Sequence, residues 1–281
     1  MPIKLMKMFL IAAIVGLAVH PAHAQSDHHK TAGSASADTD ATVNPDVAKA
    51  LKAAADALGM PRWSQVGGGH LPELDAVNTI AFWASGTPYS DYHVSLAYNP
   101  PGMRVEMSEG TQHTIEVVSD KYAWNESEVG AGLVPGKGTA TPEAQAAKER
   151  LLQLWMLPYG VVKAGWAAGD KTKVTTENGL TVITFPLTGQ LAGIAVKATL
   201  DATNLVAKVE TQTDKPDLVA EADYSDYSDR GEIPTDVKFP GRIVRKHGGK
   251  TVLDVHVKMA DANNPYLIFP VPDSVMNASA R

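Results

Sequence analysis

The sequence predicts an α+β fold: a curved antiparallel sheet, half-barrel-like, of about ten strands packed on two or three helices. Three observations predict it. Runs with strand spacing crowd two stretches, from Leu74 to Val118 and from Val174 to Ala260. Two segments with helical spacing open on a capping residue followed by proline, Asn44-Pro45 and Thr141-Pro142. Tight-turn signals separate the later runs, at Glu177-Asn178-Gly179, Asp201-Ala202-Thr203-Asn204 and Gly248-Gly249. Strands and helices segregate rather than alternate, which is the α+β pattern.

The first 24 residues read as a secretory signal peptide. Lys4 and Lys7 make a positive start, Met8 to Val19 is almost wholly apolar, and Ala22-His23-Ala24 is a small-x-small cleavage site. The apolar run is shorter than the roughly 20 residues a spanning helix needs, so no integral membrane segment is expected after cleavage. Residues 25–42 are rich in Ser, Ala, Asp, His and Thr without apolar periodicity, and read as a disordered leader. Residues 43–281 read as a single α+β domain. Localisation is expected to be periplasmic or secreted.

The domain opens on a helix. Asn44 caps it, Pro45 suits its first position, Gly59 suits its stop, and Val47, Leu51, Ala55 and Leu58 recur at helical spacing. Gly67-Gly68-Gly69 reads as a turn, because the Lys-Ser/Thr partner of a phosphate loop is missing. Tyr92, Val94 and Leu96 alternate with His93 and Ser95. Asn99-Pro100-Pro101-Gly102 breaks that strand, and Met103 to Met107 and Gln112 to Val118 follow as strands, with a loop over Gly130 to Gly138. A second helix is expected from Thr141-Pro142-Glu143 to Leu157, with Ala147, Leu151, Leu154 and Trp155 on its apolar face; Pro158-Tyr159-Gly160 reads as a joint, and Val161 to Ala168 as a short helix ended by Gly169. A meander completes the chain: Val174 to Thr176, Leu180 to Phe185, Ile194 to Leu200, Leu205 to Thr211, Leu218 to Tyr227, Thr235 to Lys246 and Thr251 to Ala260.

Composition excludes several chemistries. The chain holds no cysteine, which removes disulfides, thiolate catalysis, cysteine-metal sites and an acylated cysteine at the cleavage site. It carries 25 basic and 31 acidic side chains, a net charge of −6, and loss of Lys4 and Lys7 makes the balance more negative. No basic tract occurs, so nucleic acid is not an expected partner. No cofactor or metal is expected. Asp27-His28-His29 lies in the leader without further ligands nearby, and His70, His93, His113 and His247 are isolated by spacing. Asp254 and His256 share one face of a strand with Val252 and Lys258, which reads as a solvated face. No Gly-x-Ser-x-Gly elbow occurs; Ser85-Gly86 and Gly33-Ser34 lack the spacing. Asp223, Asp226 and Asp229 cluster beside Tyr224 and Tyr227, where capping or edge roles are the simpler reading.

Two longer stretches are more specific. One is Leu151-Leu-Gln-Leu-Trp-Met-Leu-Pro-Tyr-Gly160 followed by Val161-Val-Lys-Ala-Gly-Trp166. The other runs Asn204-Leu-Val-Ala-Lys-Val-Glu-Thr211, Ala222-Asp-Tyr-Ser-Asp-Tyr227, Val237-Lys-Phe-Pro-Gly-Arg-Ile-Val244 and Gly248-Gly-Lys-Thr-Val-Leu-Asp-Val-His-Val257. Together, over about Trp124 to Pro272, they resemble the N-terminal accessory region of exported metallo-β-lactamase-fold hydrolases, which in that family precedes the catalytic domain. The family's zinc-binding His-x-His-x-Asp-His motif has no counterpart in this sequence. The resemblance therefore implies the accessory domain without its hydrolase, and no hydrolytic residue. The same order of strand, Asp-Tyr, Lys-Phe-Pro and strand is similar to the periplasmic lipoprotein-carrier fold, in which a curved sheet wraps a helix around an apolar cavity.

The expected function is that of an exported, non-catalytic binding or accessory domain. It holds an apolar small molecule or lipid, or docks a partner, in the concave face of the sheet. Trp155, Tyr159, Trp166, Phe185, Tyr224 and Tyr227 are the candidate lining. One alternative is an orphan accessory domain serving a separately encoded metallo-hydrolase. Another is a hydrolase whose site gathers His256, Asp254 and His93 from separated strands.

Overall fold

The structure, a computed structural model, describes residues 44–60 and 77–279. The segments expected to be signal peptide and leader, and the triple glycine, lie outside the described residues. Those described belong to one compact unit, Ala41–Arg281.

Helix α1 (Pro45–Leu58) follows the capping logic of its sequence. The Asn44 side chain accepts from the Asp46 amide at 2.9 Å, and Gly59 ends the helix in the left-handed region at φ 78°. Glycine is required at position 59 twice over, because a Cβ there would lie 2.1 Å from the Asp236 carbonyl oxygen. Val47, Leu51, Ala54, Ala55 and Leu58 form its buried stripe.

The strands are β1 (Thr79–Thr87), β2 (Asp91–Tyr98), β3 (Pro101–Glu109), β4 (Gln112–Ser119), β5 (Tyr122–Glu126), β6 (Ala140–Pro142), β7 (Lys173–Glu177), β8 (Leu180–Pro186), β9 (Ala195–Leu200), β10 (Val206–Gln212), β11 (Ala220–Ser225), β12 (Ser228–Asp229), β13 (Lys238–Phe239), β14 (Arg242–His247) and β15 (Lys250–Ala262). Thirteen of them make one antiparallel sheet in the order β6-β5-β4-β3-β2-β1-β15-β14-β11-β10-β9-β8-β7; β12 and β13 pair separately. The sheet is not closed, and β6 and β7 are its edges. The long strand β15 pairs β1 on one side and β14 on the other, joining the two meanders. The fold class is as the sequence predicts, with more strands than the ten expected.

Register fixes which side chains face inward. Leu96 opposes Met103, Val94 opposes Val105 and Tyr92 opposes Met107. In the second meander Val209 opposes Ala222, Tyr224 opposes Ile243 and Ile243 opposes Val255. All are buried in the main core, where the sheet packs on α1, α2 (Ala147–Met156) and α3 (Pro158–Ala167). The Asn178-Gly179 hairpin has positive φ at both residues, 52° and 80°, as a type I′ turn requires.

Four expectations are corrected. Thr141-Pro142 does not open a helix: residues 140–142 form β6 on the exposed edge of β5, with Glu126 opposite Ala140 and Trp124 opposite Pro142. A free backbone ladder outcompetes an isolated cap, and an edge strand tolerates proline; α2 begins only after a 3₁₀ turn at Ala144–Ala146. Pro158-Tyr159-Gly160 is the first turn of α3 rather than a joint, and Leu157 alone breaks the helix at ψ 151°. The expected strand Leu218 to Tyr227 stops at Ser225, because Asp226 turns to φ 59°. The expected strand Thr235 to Lys246 is split into β13 and β14 at Pro240-Gly241, where the Gly241 amide donates to the Ser225 and Asp226 carbonyls.

A second core, not anticipated, lies on the opposite face. Phe269 and Val275, the latter in α4 (Asp273–Ser279), cover Ala97, Ile115, Val117 and Trp124. Gly102 makes the close approach possible, since a Cβ there would sit 2.6 Å from the Phe269 ring.

Candidate functional site

Helix α2 crosses the concave face without filling it. Between Leu152, Met156 and Leu157 on one side and the inner faces of β2, β3, β11, β14 and β15 on the other is a cavity of about 470 Å³. Strand alternation supplies its floor: Met103, Val105 and Met107 from β3, Ala222 from β11, Ile243 from β14 and Leu253 from β15. Three of the lining residues are methionines, unbranched side chains that adapt to irregular shapes. The volume falls within the roughly 300–1,000 Å³ of small-molecule sites.

Polar groups from β14 and α2 meet at the cavity wall. Arg245 stands on the inward face of β14, in phase with Ile243 and between Ala222 and Leu253 on the flanking strands. Its Nη1 donates to Gln153 Oε1 of α2 at 2.7 Å. Gln153 Nε2 in turn donates to Glu149 Oε1 at 3.4 Å. Tyr89 stacks on Tyr92 with centroids 5.6 Å apart. Burial pushes the Tyr92 and Tyr224 phenols up, while Arg245 draws both down. The Tyr224 hydroxyl donates to the Met156 carbonyl at 2.9 Å and so holds the end of α2 on the sheet.

Arg150 anchors the same helix on the neighbouring strands. It is buried, and its Nη1 donates to the carbonyls of Val117 and Trp124 at 3.0 and 2.8 Å. Its Nη2 donates to Asn125 Oδ1 at 2.7 Å and lies 3.5 Å from Glu116 Oε1. Burial lowers its pKa, against the raising influence of Glu116.

A second cavity of about 400 Å³ lies beside Leu151 and Trp155 of α2. Trp155, Tyr98, Lys163, Leu187 and Leu191 are among its walls. The Tyr98 and Trp155 rings are 5.7 Å apart, and Lys163 Nζ sits 5.6 Å from the Tyr98 ring centroid.

The six candidate lining residues are not brought to one place. Tyr224 lines the first cavity and Trp155 the second. Tyr159 and Phe185 are fully buried. The Tyr159 hydroxyl donates to the carbonyls of Lys238 and Leu58, and Phe185 lies close to Gly165 of α3. Tyr227 donates to the Val206 carbonyl at 2.7 Å, and Trp166 is half-buried against the main core. All three candidate tyrosines thus use their hydroxyls to tie distant backbone together. Sequence reading missed Arg245, Gln153 and the three methionines. The signal was available for Arg245: it is a charge in phase with the core residue Ile243.

Residues considered for catalysis have other partners. Arg242 Nε and Nη2 hold the Asp254 oxygens at 2.9 and 2.8 Å, and His256 is exposed. His93 stacks on Trp83 with centroids 4.6 Å apart, and its Nδ1 is 3.2 Å from Glu106. Asp223 pairs with Lys246 at 2.9 Å; Asp229 accepts from the Gly231, Thr235 and Asp236 amides at 3.0, 2.6 and 2.6 Å. Among the described residues no three His, Asp or Glu side chains converge as a metal would require. Among them, too, no helix is long and apolar enough to cross a membrane.

The chain is distantly similar in structure to two solved proteins. One is a DUF1329 family protein from Desulfovibrio piger, at a TM-score of 0.29 and 10% identity, covering 76% of this chain and 91% of that one. The other is the Mycobacterium tuberculosis lipoprotein LppX, at a TM-score of 0.23 and 8% identity, covering 61% of this chain and 90% of that one. No family model matches, and no curated protein matches in sequence.

Proposed function

We propose that this chain is an exported, non-catalytic binding protein that holds an apolar small molecule between α2 and the concave face of its sheet. The observation that carries the reading is the cavity of about 470 Å³ beneath α2, with aliphatic and methionine side chains from β3, β11, β14 and β15 on its floor and a set of charged residues, Arg245 among them, in its lining. The cavity is open on one side to solvent, and an apolar floor left uncovered in such a cleft is a feature that a ligand would explain. The alternation that makes each floor strand amphipathic also makes the cavity's interior apolar.

Native mass spectrometry of protein isolated from the periplasm is the test. A bound mass that disappears on organic extraction, on a mature chain beginning at Gln25, supports the reading. Ligand-free protein that also fails to bind the neutral probe N-phenyl-1-naphthylamine overturns it. The alternative of a docking module for a separately encoded metallo-hydrolase rests on the sequence resemblance alone.

A further inference from the structure

Arg245 is unusual among the described arginines. Arg104, Arg150 and Arg242 each lie within 4 Å of a carboxylate, from Glu126, Glu116 and Asp254. Arg230 donates to the Val257 and Asp226 carbonyls. Arg245 has no carboxylate within that distance among the described residues; it donates to the neutral Gln153 amide, with the Tyr92 phenol nearby. Its lateral neighbours on the sheet, Ala222 and Leu253, are apolar. Of the other charged residues lining the cavity, Glu116 lies on Arg150, Glu149 accepts from Gln153, and Lys246 pairs with Glu221 and Asp223; Asp217 and His247 line it as well.

A half-buried guanidinium without a counter-charge is costly to hold, and a planar carboxylate is its best geometric match. A charge in the wall and an apolar floor beside it describe an amphiphile, with head and chain in a fixed order.

We infer that Arg245 is the head-group site of the cavity, and that its ligand is a single-chain amphiphile with a carboxylate head. The chain lies along Met103, Val105 and Met107 under Leu152 and Met156, and the head accepts from the guanidinium beside Gln153. This rests on the reading of the cavity as a ligand site.

The test displaces N-phenyl-1-naphthylamine with dodecanoate, methyl dodecanoate or dodecyl phosphate, in the full mature chain and in Arg245→Gln and Arg245→Lys. Dodecanoate is expected to bind at least about tenfold more tightly than the ester, as a charge-assisted pair implies. Arg245→Gln should bring the two together by weakening dodecanoate only. Arg245→Lys should keep a reduced preference, since a point charge replaces the fork. Equal binding of acid and ester by the wild type, or an equal loss of both in Arg245→Gln, overturns the inference and leaves the cavity reading standing. Tighter binding of dodecyl phosphate than of dodecanoate overturns the carboxylate assignment. Failure of the probe and of all three amphiphiles to bind overturns the cavity reading itself. Circular dichroism melting of both variants separates lost binding from lost folding.

Discussion

The Tyr224 hydroxyl donates to the Met156 carbonyl at 2.9 Å, so a strand of the second meander holds the last turn of α2. The helix breaks one residue later, at Leu157, and Met156 has no continuing turn to supply that carbonyl with an amide. Removing the hydroxyl leaves a buried acceptor without its donor. Tyr224→Phe should cost about 1–3 kcal/mol, read as a lower urea midpoint at unchanged slope. Because the bond also positions Met156 over the cavity, apolar-probe affinity should fall in the same variant.

Gly59 offers a sharper stability test. Gly59→Ala forces a side chain onto φ 78° and places a Cβ 2.1 Å from the Asp236 carbonyl oxygen. The left-handed backbone alone costs about 1 kcal/mol or more, and the clash requires the Asp236 segment to move. Destabilisation well beyond the usual cap effect is expected, measurable by thermal melting.

Glu126 organises the second core. Its carboxylate accepts from Arg104 Nε at 3.2 Å, from Trp124 Nε1 at 3.1 Å and from the Gly130 amide at 2.8 Å, and its side chain is fully buried. Glu126→Ala strands three donors, one of them charged, and should cost about 3–5 kcal/mol. Glu126→Gln keeps the shape and should cost less. Chemical denaturation of the two variants orders them.

Filling the cavity separates binding from stability. Ala222 is buried on its floor. Ala222→Phe should reduce binding of N-phenyl-1-naphthylamine at least about tenfold, while overpacking costs no more than about 1–3 kcal/mol. Undiminished binding would place the ligand elsewhere, with the second cavity beside Trp155 as the first candidate.

Asp229 sets an acid-side dependence. Burial raises its pKa, but the amides of Gly231, Thr235 and Asp236 outweigh burial and hold it below the ordinary 3.8. A depressed folded pKa adds stability that is fully present above the unfolded value and is lost as pH falls through the folded one. The melting-temperature gap between wild type and Asp229→Ala should therefore be widest above 3.8 and close as the pH falls below it. A gap that stays constant through that window would assign the role of Asp229 to packing.

Local patterns in the chain predicted much of this fold. Asn44, Pro45 and Gly59 bound a helix because cap geometry is a property of adjacent residues. Asn178-Gly179 closes a hairpin for the same reason, and the inward and outward faces of β15 follow from period-two alternation. What failed were places where a distant segment competes for the same backbone. Thr141 and Pro142 carry a helix-start signal, but the free edge of β5 takes them into the sheet. Asp226 interrupts a strand because the Gly241 amide reaches the Ser225 and Asp226 carbonyls.

The candidate site divides the same way. From the sequence alone came a cysteine-free α+β domain with a curved antiparallel sheet, and six aromatic residues as candidate lining. Tyr159, within α3, faces a filled interior because α1 and β13 close over it, and Phe185 because α3 packs on it at Gly165, which no local pattern encodes. Arg245 opposes Ala222 and Leu253 only because β14 pairs with β11 and β15 in this register. A one-residue slip of either pairing would turn it to solvent. The residue types were written in the chain; the space beneath α2, and the lone guanidinium in its wall, are products of long-range packing.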